Sequence, residues 1–375
     1  MKIVFLVNCS NFFNSHFLKL AELALSKKYD VYIVAGNDLQ KDHFETLGFK
    51  FIHIPLSRAG ISFVNEINVF LKIRAILNDI NPDIVHAFTV KPVIYSGLVC
   101  KTLKLENLKL KVFSITGLGT LAMSQHWISK LGWRILLKVY SFIFSCDNSA
   151  VIFENDDDMQ YFVDEKVLKT DMAYVINGAG IDTSVFVPSS NKPKIITVVL
   201  IARLLRDKGI LEYIEAGKIL KSRKVNVNLQ LVGSVDKQNR TSLTRDVISD
   251  AEDKGYIEYL GQSFDVKSIY QQAHIACLPS YREGRPKSLI EAASCGVAII
   301  TTDVPGCRQM VSNFNNGILV PPKKSTLLAN AIEYLVLRPE LIMLMGRNSR
   351  TSAIELYDYS IILDSFFKVY SKELK

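Results

Sequence analysis

The stretch from Pro279 to Arg308 constrains this chain more than any other. It reads Pro-Ser-Tyr-Arg-Glu-Gly-Arg-Pro-Lys-Ser-Leu-Ile-Glu-Ala-Ala-Ser-Cys-Gly-Val-Ala-Ile-Ile-Thr-Thr-Asp-Val-Pro-Gly-Cys-Arg. The apolar run from His274 to Leu278 just before it predicts a strand, and the polar residues Ser280 to Arg285 predict a loop. Pro286 is expected at the first helical position, where its missing N–H costs nothing. Leu289, Ile290, Ala292 and Ala293 supply the apolar part of a helix that Gly296 ends. The β-branched run from Val297 to Thr301 predicts a second buried strand. Glu283 precedes the helix and Glu291 lies inside it, five residues from Pro286, about 7–8 Å along the axis. N–H groups near Lys287 and Ser288, at the helix start, suit an anion. The spacing therefore fits a ligand with a hydroxyl-bearing group at each end and an anionic middle, the shape of a sugar nucleotide.

Glu283-Gly-Arg-Pro-Lys-Ser-Leu-Ile-Glu291-Ala, followed by Cys-Gly-Val-Ala-Ile-Ile-Thr-Thr-Asp-Val-Pro-Gly-Cys-Arg308, resembles the E-x7-E signature of retaining family 4 glycosyltransferases. Within them it is closest to the subgroup that builds capsule, O-antigen and N-glycan precursors on a lipid carrier. The resemblance implies an α/β fold of the GT-B type, two Rossmann-like domains facing a central cleft. Residues 1–185 would bind the acceptor and 186–355 the nucleotide sugar, with a last helix, 356–375, returning to the N-terminal domain. It also implies transfer of a hexose or N-acetylhexosamine from a UDP-sugar to a polyprenyl-diphosphate-linked saccharide, with retention and without a metal or other cofactor. Arg203 and Lys208 would stabilise the leaving diphosphate and Glu283 would orient the hexose. Glu291, Gly284, Lys287, Ser288, Leu289, Gly233 and Gly306 would line the donor site. A plain strand–helix–strand unit with two surface glutamates is the bland alternative. An epimerase on the same fold and a non-catalytic nucleotide-sugar-binding partner are the functional ones.

In the N-terminal half, the apolar run Lys2 to Val7 predicts a buried parallel strand, Asn8 to Ser15 a polar loop, and Phe17 to Ser26 a helix. No Gly-x-Gly-x-x-Gly follows the first strand, which argues against a dinucleotide loop there. By resemblance this first loop faces the acceptor, and Ser15-His16 matches a Ser-His-Arg pattern in which Phe17 replaces the Arg. His86, Thr89 and Lys91 are expected at the carboxyl end of a later strand, where open α/β sheets bind ligands. Val-His-Ala-Phe-Thr-Val-Lys-Pro resembles the subgroup's second signature. Gly117 and Gly119, after the strand Val112 to Thr116, permit close backbone approach and match the part of the family that lines the cleft.

Net charge is +8, and that excess lies before Cys146, with 17 Lys and Arg against 9 Asp and Glu. Such a patch suits nucleic acid, anionic membrane or phosphorylated substrate, and no nucleic-acid module is visible. Ser124 to Phe144 is heavily apolar, with Lys130, Arg134 and Lys138 recurring every four residues, so these three share one side of a helix. A helix of that kind can lie on a membrane with its cations toward anionic headgroups. No apolar run is long enough to span a bilayer, and Met1 to Val7 is too short for a secretory signal. The six cysteines lack metal or disulfide spacing. These features point to a cytoplasmic protein, peripheral on the inner face of the plasma membrane. Asp156 to Asp158, which superficially offers a metal pair, is expected with Asn155 to cap a helix. Glycines and prolines from Tyr174 to Pro193 mark the interdomain connection.

Overall fold

The computed structural model describes every residue except 37–39, 57–62, 120–121, 123–125, 237–238, 240, 264 and 375. Its contacts divide the chain into two units: Met1–Ala179 with Ile362–Lys375, and Gly180–Ile361. The division thus falls at 179/180 and 361/362, against the sequence expectation of 185/186 and 355/356.

Among the described residues unit 1 holds seven strands: β1 (Lys2–Val7), β2 (Asp30–Ala35), β3 (Lys50–His53), β4 (Ile84–Phe88), β5 (Leu110–Ile115), β6 (Ser149–Phe153) and β7 (Ala173–Val175). They form one parallel sheet in the order β3-β2-β1-β4-β5-β6-β7. Parallel strands need crossovers, and helices supply them. These are α1 (Ser10–His16), α2 (Leu18–Ser26), α3 (Lys41–Thr46), α4 (Phe63–Ile80), α5 (Val90–Thr102), α6 (Trp127–Phe144) and α7 (Asp156–Asp164). The central strands β1, β4, β5 and β6 are buried almost throughout because both faces are covered, whereas the edge strand β3 is exposed at both ends. Val4 and Leu6 enter one core cluster, and Ile3, Phe5 and Val7 enter the other.

Unit 2 repeats the plan with β8 (Thr197–Ile201), β9 (Asn228–Val232), β10 (Glu258–Gly261), β11 (Ile275–Leu278), β12 (Ala298–Thr302) and β13 (Gly317–Val320). They are parallel, in the order β10-β9-β8-β11-β12-β13. Its helices are α8 (Ile210–Ser222), α9 (Arg245–Asp253), α10 (Val266–Gln272), α11 (Lys287–Ser294), α12 (Ser325–Val336) and α13 (Pro339–Leu356). The last helix, α14 (Tyr359–Glu373), brings Ile362, Phe366, Val369 and Tyr370 into the core of unit 1 beside Phe5 and Phe88.

The residues expected to form a loop between Asn8 and Ser15 are mostly helical. α1 begins at Ser10 because Ser10 and Phe13 are fully buried, and Phe13 packs on Phe5 and Phe88. Burial of one aromatic outweighs the poor helix propensity of two asparagines. His16 therefore ends a helix, although the sequence placed it at a helix start. The final helix begins at Tyr359, not Leu356. Asp358 breaks the chain there by accepting from the N–H of Ser360 at 2.9 Å and the hydroxyl of Thr183 at 2.6 Å. Asn155 caps α7 as expected, accepting from the N–H of Asp158 at 2.8 Å.

Candidate active site

In unit 2 the strand order reverses between β8 and β11. Crevices outside the carboxyl ends of two such strands are where open α/β sheets take ligands. The loop after β8 carries Arg203 and Lys208, and the loop after β11 carries Glu283. The two loops are fastened together. Tyr281 N–H donates to Asp207 O at 2.9 Å, and Ser280 Oγ lies 3.0 Å from the same oxygen. The Tyr281 hydroxyl donates to Glu212 Oε1 at 2.7 Å, and the hydroxyl of Thr302 donates to Ser280 O. The result is an ion pair at the switch point: Lys208 Nζ lies 2.5 Å from Glu283 Oε1, which also accepts from Ser280 Oγ at 2.6 Å. Both side chains are largely shielded from water, so the field between them is stronger than at a surface. The sequence reading gave Ser280, Tyr281 and Thr302 no role of their own and did not reach Glu212. Ser280 and Tyr281 stand just before Glu283 in the chain, and the fold brings Glu212 and Thr302 to them.

The remaining donor-side residues divide. Arg203 is half exposed and pairs with Asp236 at 2.7 Å. Gly306 has a φ of 82°, and a Cβ there would meet Glu283 O at 2.3 Å. The close approach that requires glycine is thus made by the chain itself, to the backbone of Glu283 and Gly284. Gly233 directly follows β9, with its N–H on Gly261 O at 2.8 Å and its carbonyl accepting from the Tyr259 hydroxyl at 2.8 Å. Pro286 is the residue before α11, with ψ at 110°, and not its first helical residue. Lys287 and Ser288 open the helix. Leu289 does not present a free donor: its N–H goes to Pro286 O at 3.0 Å and its side chain is core. Glu291 lies one turn on from Lys287, whose ammonium is 3.6 Å from Oε1. Burial pushes the Glu291 carboxyl up from its ordinary range, and Lys287 opposes that shift.

In unit 1 the reversal lies between β1 and β4. Thr89 and Lys91 follow β4 as expected, and Lys91 pairs with Glu66 at 2.8 Å. His86 is not at the strand end. It lies in the middle of β4, fully buried, with Nδ1 2.7 Å from the Tyr370 hydroxyl and Nε2 2.7 Å from Ser114 Oγ. Burial holds its pKa well below the ordinary value, so it is a neutral residue joining α14 to the sheet, and a cleft role is ruled out by its enclosure. His16 stacks on Phe12, with its ring nitrogen 2.7 Å from Ser15 Oγ. Gly117 and Gly119 have φ of 134° and 70°, and among the described residues nothing lies within 4 Å of a Cβ built on Gly119.

The family described as "Glycosyl transferase 4-like" matches residues 2–148, and "Glycosyl transferases group 1" matches 183–352. This chain is a glycosyltransferase of the GT-B, family 4 type. The N,N'-diacetylbacillosaminyl-diphospho-undecaprenol alpha-1,3-N-acetylgalactosaminyltransferase of Campylobacter jejuni is 27% identical over 93% of both chains. An Escherichia coli UDP-Gal:alpha-D-GlcNAc-diphosphoundecaprenol alpha-1,3-galactosyltransferase is 20% identical over 93% of this chain and 90% of its own. Among solved structures, Anabaena HepE in complex with UDP superposes with a TM-score of 0.78 at 18% identity, covering 99% of this chain and 100% of its own. At that identity it shows the shared fold alone. The glycosyltransferase's switch-point ion pair is thus built by the two loops on which the sequence placed Lys208 and Glu283.

Among the described residues no helix is long and apolar enough to cross a membrane. α6 is apolar on two sides. Trp133, Leu137, Tyr140, Ile143 and Phe144 are buried, whereas Trp127, Ile128, Leu131, Ile135 and Phe142 are each more than half exposed. Lys130, Arg134 and Lys138 are exposed with them, and the helix has no carboxylate. Residues 124–125, where this helix was expected to begin, lie outside the described residues.

Proposed function

We propose that this glycosyltransferase moves a hexose or N-acetylhexosamine from a UDP-sugar to a polyprenyl-diphosphate-linked saccharide, with retention and without a metal. It would do so at the inner face of the plasma membrane, in surface polysaccharide synthesis. The observation that carries the reading is the Lys208–Glu283 pair at the β8/β11 switch point, beside the start of α11. A diphosphate there would gain from Lys208, Arg203 and the positive end of the helix, which are fixed before charge develops. Glu283 would orient the hexose through its hydroxyls, and Glu291, five residues beyond Pro286, would hold the ribose. Front-face attack, with a donor phosphate oxygen taking the acceptor proton, fits the absence of any assigned covalent nucleophile. The acceptor class rests on the two relatives whose own substrates carry an undecaprenol diphosphate.

The test is incubation with a panel of UDP-sugars and synthetic polyprenyl-diphosphate saccharides. Mass spectrometry would read the product, and NMR the new anomeric configuration. One hexose or N-acetylhexosamine added in the donor's own configuration, undiminished by EDTA, supports the reading. Inversion, or strict dependence on a divalent ion, overturns its mechanism. Turnover of the donor's sugar without an acceptor, to an epimer, would favour the epimerase.

A further inference from the structure

Four cations near the carboxyl ends of β8, β11 and β12 are each held by a carboxylate. Lys208 pairs with Glu283 at 2.5 Å, Lys287 lies 3.6 Å from Glu291, Arg308 pairs with Asp303 at 2.8 Å, and Arg203 pairs with Asp236 at 2.7 Å. A diphosphate arriving at the switch point therefore meets cations that are already matched. It has to share one or take one from its carboxylate.

The pairs differ in how readily they open. Glu283 is also held by Ser280 Oγ, and the Arg308 side chain donates to the Asp303 carbonyl as well as to its carboxylate. Arg203 is the exposed cation of the β8 and β11 loops. Half of its side chain, 50%, meets solvent, against 21% for Lys208 and 20% for Lys287. Its planar guanidinium also suits a phosphate better than an ammonium does.

Asp236, by contrast, is fixed. Its N–H donates to Ser242 Oγ at 3.1 Å and its carbonyl accepts from Asn239 N–H at 2.9 Å. The loop it stands on is stitched to the loop after β8. Leu204 N–H donates to Ser234 O at 3.0 Å, Arg206 N–H to Thr241 O at 2.8 Å, and Leu243 N–H to Leu204 O at 2.8 Å. A Cβ on Gly233, where the loop begins, would collide with Ala202 O. When Arg203 turns to a diphosphate, it leaves behind a carboxylate that is only 20% exposed and carries the diphosphate's own sign of charge.

We infer that Asp236 is a placeholder for the donor's diphosphate: it holds Arg203 in the empty site, weakens the grip on the nucleotide, and takes Arg203 back as UDP leaves. Catalysis gains nothing from binding the diphosphate equally well before, during and after departure, so a competitor for Arg203 costs little turnover. Asp236 acts through Arg203 and is a positioning residue. The inference rests on the proposed function, in which Arg203 receives the diphosphate.

Calorimetric titration with UDP alone tests it. Asp236→Asn, nearly the same shape without the charge, is expected to bind UDP about fivefold more tightly than wild type, the scale of a half-exposed ion pair. Asp236→Ala should do the same, and Asp236→Glu, which keeps the charge, should not. The gain should shrink in about 1 M salt, where screening acts over ~3 Å, and vanish in an Arg203→Ala background. A purely structural role for Asp236 would not raise affinity, and thermal melting checks that each variant is folded. Unchanged or weaker UDP binding in either uncharged variant, or a gain that persists in full with Arg203→Ala, overturns the placeholder. If Arg203→Ala weakens UDP binding while the Asp236 variants change nothing, the donor site stands and the placeholder alone falls. If wild type does not bind UDP, both fall.

Discussion

Lys208 and Glu283 form an ion pair largely shielded from water. Removing either should abolish the electrostatic arrangement that receives the leaving diphosphate. Lys208→Ala, Glu283→Ala and Arg203→Ala are each expected to cut turnover by about 10²-fold or more, as loss of one preorganised stabilising group does. Progress curves at saturating donor check this, and wild-type rates in all three would remove the assignment. Their identity was legible in the sequence because the motif around them is long. The bonds that fasten their loops were not: Glu212 on α8 accepts from Tyr281 and Thr302 on β12 donates to Ser280, and no local spacing announces them. His86 shows the converse. A histidine in a motif near a strand end reads as a ligand contact, but the strand runs past it and α14 covers it from nearly three hundred residues away. Because burial holds its folded pKa below the unfolded value of about 6.5, the stability it contributes is present above pH 6.5. It should be lost as pH falls through the folded pKa. The melting temperature should therefore fall on acidification below about pH 6.5, and His86→Gln should flatten that dependence; an equal slope in the variant would refute the role.

At the scale of elements, α6 makes the sharpest prediction. Its buried face anchors it to the sheet, and its outward face combines apolar side chains with three cations and no carboxylate. The chain's two tryptophans stand on opposite faces of this helix. Trp133 is buried and donates to the Tyr161 hydroxyl at 2.7 Å, whereas Trp127 is exposed. In a Trp133→Phe background, Trp127 emission should shift to the blue with phosphatidylglycerol vesicles at low salt and stay unchanged with phosphatidylcholine. Ile128→Asp with Ile135→Asp should abolish the shift. No shift with anionic vesicles would leave the outward face without a membrane role. Periodicity alone could not separate core from surface here, since apolar residues occur on both sides. The same ambiguity hid α1, where two asparagines read as loop and a buried phenylalanine decided for helix. α13 gave no reading at all: its apolar spacing is diluted by polar residues.

At the scale of the molecule, two parallel sheets were legible because β-branched apolar runs recur between helical stretches, and strands buried on both faces cannot alternate. What the sequence left open was the strand order, and function depends on it. Order sets one reversal between β1 and β4 and another between β8 and β11, where Lys208 meets Glu283. The account turns on the second of these reversals. A crystal of the full chain with bound UDP-sugar would measure it directly. The diphosphate is expected beyond the carboxyl ends of β8 and β11, within hydrogen-bond distance of Lys208 and at the start of α11, with the sugar hydroxyls on Glu283. A well-ordered nucleotide whose phosphates lay away from both Lys208 and that helix start would contradict it.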